Sequence, residues 1–163
     1  MVKNQHAARV SLALIAPDIA PNVGAIIRLA ACLDVNVAVV EPCGFPFSPH
    51  AWRRQAMDYA RLARVEHLPG LGAFAAGLEG RRAVALTARG DLALQNFAFA
   101  PGDVLMLGAE TAGLPAPAYD LAAAAVRIPL RAEARSLNVA QAAAVALFEA
   151  LRQTDGLPGE APT

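Results

Sequence analysis

The sequence predicts an α/β fold in which a parallel sheet is flanked by helices, and three observations predict it. First, a strand, a helix and a second strand follow one another between Ala8 and Val40. A right-handed parallel crossover is the default for such a unit. Second, the short apolar runs at 83–87, 104–107 and 125–129 lack the polar alternation of a half-exposed strand, so both of their faces must be covered. Third, the best helix of the chain opens directly after a polar loop at the end of the last apolar run. That is where open α/β sheets place ligands, because backbone N–H groups converge there.

Residues 8–16 (ARVSLALIA) read as a strand, and Pro17 and Pro21 bracket the loop after it. A helix is expected from about Asn22, since Val23, Ile26, Ile27, Ala30 and Leu33 keep the helical rhythm of one buried face. Arg28 falls off that face. Helical side chains lean toward the amino end, so its guanidinium is expected to pass over Gly24 toward Asn22; the alternative is a solvent-facing arginine beside an incidental glycine. Residues 36–40 form the second strand, and Glu41-Pro42-Cys43-Gly44-Phe45-Pro46 is a loop. A helix over 51–59, a short strand over 62–66 and a helix over 71–78 are expected next. The strand at 83–87 runs into an Arg89-Gly90-Asp91 turn, and the strand at 104–107 is entered through Pro101-Gly102-Asp103.

The run at 125–129 is stopped by Pro129, which has no N–H to offer a ladder. Ser136 then stands where an N-cap belongs. Leu137, Ala140, Ala144, Phe148 and Leu151 recur as an apolar face, with Asn138, Gln141, Glu149 and Arg152 largely outside it. Residues 1–153 are expected to form one domain, followed by a disordered tail over 154–163.

Hydrophobic residues make up 56% of the 163 and charged residues 17%. Such a composition calls for elements covered on both faces, or for an extra apolar surface used in self-association, and a homodimer accounts for it simply. No apolar run is long enough for a spanning helix and the start lacks a signal-peptide pattern, so no membrane is expected and the location reads as cytoplasmic. Cys32 and Cys43 have no CxxC spacing, and His6, His50 and His67 form no metal-like pairs, so no metal is expected and both thiols read as reduced and structural. The formal charge is zero, yet residues 51–64 hold Arg53, Arg54, Arg61 and Arg64 against Asp58 alone. Beside Trp52 and Tyr59 these arginines could meet phosphates and stacked bases, or they could form a solvated helix face.

Two further loops carry candidate chemistry. Gly108-Ala109-Glu110-Thr111-Ala112-Gly113-Leu114-Pro115 follows a strand, and glycine there lets backbone approach a ligand. Glu110 is either a ligand contact or a loop-tip charge. The stretch is neither the GxGxxG of a dinucleotide fold nor a phosphate loop, which needs GK[ST].

Taken together and in order, these motifs resemble the SPOUT superfamily of RNA methyltransferases. The resemblance rests on Pro17 to Arg28, with Asn22, Gly24 and Arg28 as its specific part, on Gly108 to Pro115, and on Ile128-Pro129-Leu130 followed by Ser136-Leu137-Asn138. Glu41 to Phe45 and Arg53-Arg54-Gln55-Ala56-Met57-Asp58-Tyr59 are similar to the short branch that methylates the wobble ribose of tRNA. The resemblance implies a trefoil-knotted fold working as a homodimer, with S-adenosylmethionine as methyl donor and the anticodon stem-loop of a tRNA as partner. It implies cofactor contacts from Leu86, Thr87, Gly108, Ile128, Leu130, Ser136 and Leu137. Arg28 would act at the reacting hydroxyl with Asn22, Glu110, Ser136 and Asn138 around it, and Arg53, Arg54, Arg61 and Arg64 would hold the RNA. Because a guanidinium stays protonated, Arg28 reads as a clamp for a phosphate or a developing alkoxide. A non-catalytic RNA-binding dimer, or a methyltransferase for another RNA position, is the alternative.

Overall fold

The computed structural model describes residues 9–48, 50, 52 and 57–159. Seven parallel strands form one sheet in the order β3-β2-β1-β6-β4-β7-β5. They are β1 (Ser11–Ile15), β2 (Asn36–Val40), β3 (Arg64–Leu68), β4 (Ala83–Leu86), β5 (Leu92–Ala93), β6 (Val104–Leu107) and β7 (Ala122–Arg127). The helices are α1 (Ala20–Cys32), α2 (Leu71–Gly77), α3 (Ala116–Leu121) and α4 (Val139–Gln153), with short 3-10 turns at Met57–Arg61 and Leu94–Asn96.

The apolar runs become strands because helices cover the sheet on both sides. Strand β1 is buried throughout. Leu12 and Leu14 point to one layer, where Val23, Ile26 and Ile27 of α1 meet Ala143, Ala146, Leu147, Ala150 and Leu151 of α4. Ala13 and Ile15 point to the other, a thinner layer with Phe74 of α2 and Ala118 of α3. Alternate side chains of β6 divide in the same way, Leu105 and Leu107 against Val104 and Met106. Charge is tied down at the amino ends of the strands. The buried Asp103 accepts from Arg82 through both oxygens, at 2.8 and 2.7 Å.

Several expectations are corrected. The helix opens at Ala20, two residues before Asn22, because Pro21 is tolerated in a first turn, where its missing N–H would be unpaired in any case. Of the helix expected over 51–59, Trp52 is helical, 57–59 belong to a 3-10 turn, and 51 and 53–56 lie outside the described residues. The strand expected over 62–66 lies at Arg64–Leu68, in register with β2 from Asn36↔Arg64 to Val40↔Leu68. The two-residue β5 and the one-and-a-half-turn α3 were not anticipated, since neither is long enough to show a period.

Ser136 is not the cap of the last helix. It is exposed in the loop, and Asn138 takes that place by accepting from the Ala140 N–H at 2.8 Å. The face of α4 is turned as well. Phe148 and Leu137 are exposed, while Ala143, Ala146 and Leu147 fill the core. The buried face mixes small and large side chains, Ala143, Ala146 and Ala150 with Leu147 and Leu151, while Val145 and Phe148 face outward. After the helix, the Thr154 hydroxyl donates to the Ala150 carbonyl at 2.8 Å, and the Gly156 N–H donates to the Leu151 carbonyl at 2.8 Å. Both cysteines are free, but Cys32 is exposed and so does not serve packing. Among the described residues no helix is long and apolar enough to cross a membrane.

Candidate active site

The loops that leave the carboxyl ends of β4, β6 and β7 surround an open cleft of about 850 Å³, closed on one flank by the start of α1 and on another by the start of α4. Its volume is in the range of small-molecule sites. The order of the sheet changes direction here, with β6 and β4 inserted between β1 and β7. Such switch points open a crevice at the strand ends.

All seven residues expected at a cofactor line this cleft: Leu86, Thr87, Gly108, Ile128, Leu130, Ser136 and Leu137. The wall after β4 is held from two sides. Tyr119 donates to the Thr87 hydroxyl at 2.8 Å, and the Thr87 N–H donates to Val126 at 2.9 Å. Arg127 donates to the carbonyls of Gly90 and Asp91, both at 2.7 Å. Gly108 is required for a reason other than ligand approach. A Cβ there would lie 2.2 Å from the Gly113 carbonyl carbon, so the loop folds back onto its own first residue. Gly113 has φ +72 and its N–H donates to Ala109 at 2.8 Å, which closes that turn.

The polar centre of the cleft joins three distant parts of the chain. Asn22 donates through Nδ2 to Glu110 Oε1, across 88 residues of sequence. Asn138 donates to Asn22 Oδ1 at 3.0 Å, across 116 residues, while its own Oδ1 caps α4. One directed chain therefore runs from the first turn of α4 to the Glu110 carboxyl. Burial first, and then the hydrogen-bonded Asp18 carboxyl, raise Glu110 above the ordinary carboxylate range. Hydrogen bonds with Glu110 and Thr111 hold Asp18 down at about 2. Two neighbouring carboxyls share one proton more readily than they carry two charges. Oε2 of Glu110 is buried with no hydrogen-bond partner among the described residues, in keeping with the burial that raises this carboxyl.

The structure does not bring every expected residue to this centre. Ser136 lines the cleft but makes no part of the Asn22 chain. Arg28 is exposed on α1 and absent from the lining, and its guanidinium carbon lies 4.8 Å from the centroid of the Tyr59 ring. Gly24 is buried. Arg53 and Arg54 lie outside the described residues, and Arg61 is exposed on the 57–61 turn. Arg64 sits at the amino end of β3, away from the strand ends that make the cleft, and is tied there to Asp34 at 2.8 Å and Asn36 at 2.6 Å. Sequence reasoning missed Asp18, Tyr119 and Arg89. Asp18 had a signal: an acceptor side chain before Pro21-Asn22, in a loop that must turn a strand into a helix.

In outline the cleft has apolar and backbone walls for a flat, partly polar ligand, a hydrogen-bonded polar centre, and arginines in its lining. The structure resembles known proteins over nearly all of its length. The SpoU rRNA Methylase family model matches residues 9–148. The tRNA (cytidine(34)-2'-O)-methyltransferase of Ancylobacter novellus is 47% identical over 148 residues, covering 90% of this chain and 94% of that protein. The enzyme of the same description from Escherichia coli is 37% identical over 151 residues, covering 91% and 96%. A solved structure described as giving insights into the 2-OH methylation of C/U34 on tRNA matches with a TM-score of 0.84 at 34% identity, over 90% of this chain and 97% of that one. A SpoU methyltransferase from Streptomyces viridochromogenes in complex with the cofactor AdoMet matches at 0.79 and 28%, over 90% of this chain and 58% of that one.

Proposed function

The chain belongs to the SpoU rRNA methylase family, and on that premise we propose that it transfers methyl from S-adenosylmethionine to the ribose 2'-oxygen of the wobble nucleotide, position 34, of a tRNA. The observation that carries this reading is the junction of Asn22, Glu110 and Asn138 in one hydrogen-bonded chain at the strand-end cleft. These are the residues the three motifs contribute, and only folding brings them together.

The cofactor's sulfonium supplies an activated methyl, so the protein's task is to align the acceptor oxygen and to stabilise the charge that develops on it. Backbone groups and the apolar side chains of Leu86, Ile128, Leu130 and Leu137 suit an adenine and a ribose. Asn22 and Asn138 fix the polar side of the cleft, and Glu110 anchors that side by accepting from Asn22. Arg28 serves as the cationic clamp. It reaches the reaction centre when RNA and a second subunit complete the site.

The outward face of the helix layer supports a homodimer. Leu29, Leu33, Leu94, Ile128, Val145 and Phe148 line one apolar concavity of about 740 Å³. Phe148 is 52% exposed and Val145 45%, more than a lone subunit leaves uncovered in one place without use. Leu29 and Leu33 are on α1, so a partner seated there passes beside Arg28. The same family likeness supports a trefoil knot, with the chain after β7 threading so that α4 packs on α1.

Arg89, Arg131 and Arg135 at the mouth of the cleft, with Arg61 on the neighbouring turn, offer phosphate contacts to an anticodon stem-loop. Arg53 and Arg54 extend this basic strip in sequence. The test is a tRNA carrying 2'-deoxyribose at the wobble nucleotide alone. Methyl incorporation should vanish with that substrate, and its persistence would show that this hydroxyl is not the acceptor.

A further inference from the structure

Asp18 takes no part in the scheme above, yet the two polar loops of the cleft close on it. It lies between β1 and α1, and its Oδ1 accepts from the Glu110 N–H at 3.0 Å. Its Oδ2 accepts from the Thr111 N–H at 3.4 Å and from the Thr111 hydroxyl. One side chain thus gathers three donors from a turn more than ninety residues away in sequence. Charged acceptors make the stronger hydrogen bonds, and a rigid turn multiplies their effect on position.

Asp18 is itself held from behind. The Gly44 N–H donates to the Pro17 carbonyl at 2.9 Å, and a Cβ on Gly44 would lie 2.8 Å from both Asp18 Cα and Cβ. The loop after β2 therefore presses directly on the β1–α1 loop, and only glycine allows the approach. Three loops are stacked in sequence, and Asp18 is the side chain of the middle one that reaches the third.

We infer that Asp18 is a positioning residue for methyl transfer: its carboxylate folds the 108–114 turn over the start of α1, so that Glu110 meets Asn22 and the 108–111 wall of the cofactor cleft takes its place. The kinetic consequence rests on the methyltransferase reading, while the geometric one does not. Without the Asp18 acceptor, the donors at 110 and 111 turn to water. The turn then keeps its own Gly113 to Ala109 bond and the single link to Asn22. Asp18 touches no reacting atom in this scheme.

The experiment compares Asp18→Ala, Asp18→Asn and Thr111→Val in the full chain. Amide hydrogen exchange at Glu110 and Thr111 should accelerate in Asp18→Ala and less in Asp18→Asn, which keeps one acceptor oxygen; Thr111→Val, which loses only the hydroxyl bond, should show the smallest change. S-adenosylmethionine affinity by calorimetry and kcat on tRNA should each fall on the order of tenfold or more in Asp18→Ala. KM for tRNA should stay within about threefold, and Asp18→Asn should recover part of the loss. Unchanged exchange at 110 and 111 would overturn the inference. So would a lower Tm accompanied by wild-type cofactor affinity and kcat, since Asp18 would then serve stability alone. If the wild-type chain transfers no methyl to tRNA, the reading of function fails, but exchange and cofactor affinity still decide the role of Asp18.

Discussion

The proposed homodimer should come apart when Phe148 is replaced by alanine, while each subunit stays folded. The ring stands on the outward face of α4, where it is 52% exposed, and Ala143, Ala146 and Leu147 rather than Phe148 fill the core beneath. A phenylalanine side chain offers about 200 Å² to burial, so roughly half of that, about 100 Å², remains to be covered by a partner. At about 25 cal/mol per Å² this is about 2.5 kcal/mol per ring. Two-fold symmetry places the ring twice in an isologous interface, which doubles the loss to about 5 kcal/mol. Since each 1.4 kcal/mol is about tenfold, the dissociation constant should rise by roughly three to four orders of magnitude. Sedimentation velocity over a wide concentration range measures it, with circular dichroism to show that the helices persist. An association constant within a few-fold of wild type in Phe148→Ala would refute the reasoning, because no other arrangement leaves that ring both in the interface and energetically silent.

Arg28→Ala should leave the melting temperature nearly unchanged, as the residue is exposed on α1, and should lower kcat by on the order of a hundredfold in a tRNA methylation assay. Gly108→Ala should abolish calorimetric S-adenosylmethionine binding through the fold of its own loop, since its Cβ would meet the Gly113 and Leu114 backbone at 2.2 and 2.3 Å. Asn138→Ala should cost about 1 kcal/mol in urea unfolding for the lost cap, and should lower turnover as well because Asn22 loses its donor. Asp18 is depressed to about 2 from 3.8, so its stabilisation is present above pH 3.8 and is lost as pH falls toward about 2; Asp18→Asn should remove that part of the acid dependence of the urea midpoint. Glu110 is raised and has the opposite sign: its contribution is present at low pH and is lost as pH rises through its folded value, which carboxyl carbon NMR can follow.

The strands could be read in the sequence because covering both faces of a sheet demands unbroken apolar runs. Asn36–Val40 and Val104–Leu107 fall on the expected residues. Elements held mainly by tertiary contacts could not. The two-residue β5 exists because Leu92 and Ala93 lie beside Val126 and Arg127, and the turn before it is fixed by Gly90, whose Cβ would sit 2.4 Å from the Val126 carbonyl carbon. Neither fact leaves a periodic trace. Helix α4 shows a different failure. The expected face of Leu137, Ala140, Ala144, Phe148 and Leu151 shares only Leu151 with the buried core, where Ala143, Ala146, Leu147 and Ala150 join it. The stripe is turned by part of a helical turn, because apolar residues lie on more than one face of this helix, and Val145 and Phe148 become a surface.

The site divides along the same line. Side chains that belong to a motif could be named in advance, and the geometry joins Asn22, Glu110 and Asn138. Their mutual roles were not legible, because a hydrogen bond across 116 residues has no sequence signature. The arginines show how charge misleads when partners are unknown. Arg64 belongs by composition to a basic strip, but Asp34 and Asn36 at the amino ends of the strands hold it on the opposite side of the sheet from the cleft. Arg89 and Arg135, in unrelated loops, face the mouth instead. A parallel sheet has two chemically distinct ends, and the direction of the strand beside a residue therefore decides its use more than its neighbours in sequence do. Asp18 is the sharpest case. It follows β1 at the carboxyl end, so its carboxylate meets N–H groups of the loop after β6, and the same residue before the strand would have been one more surface charge.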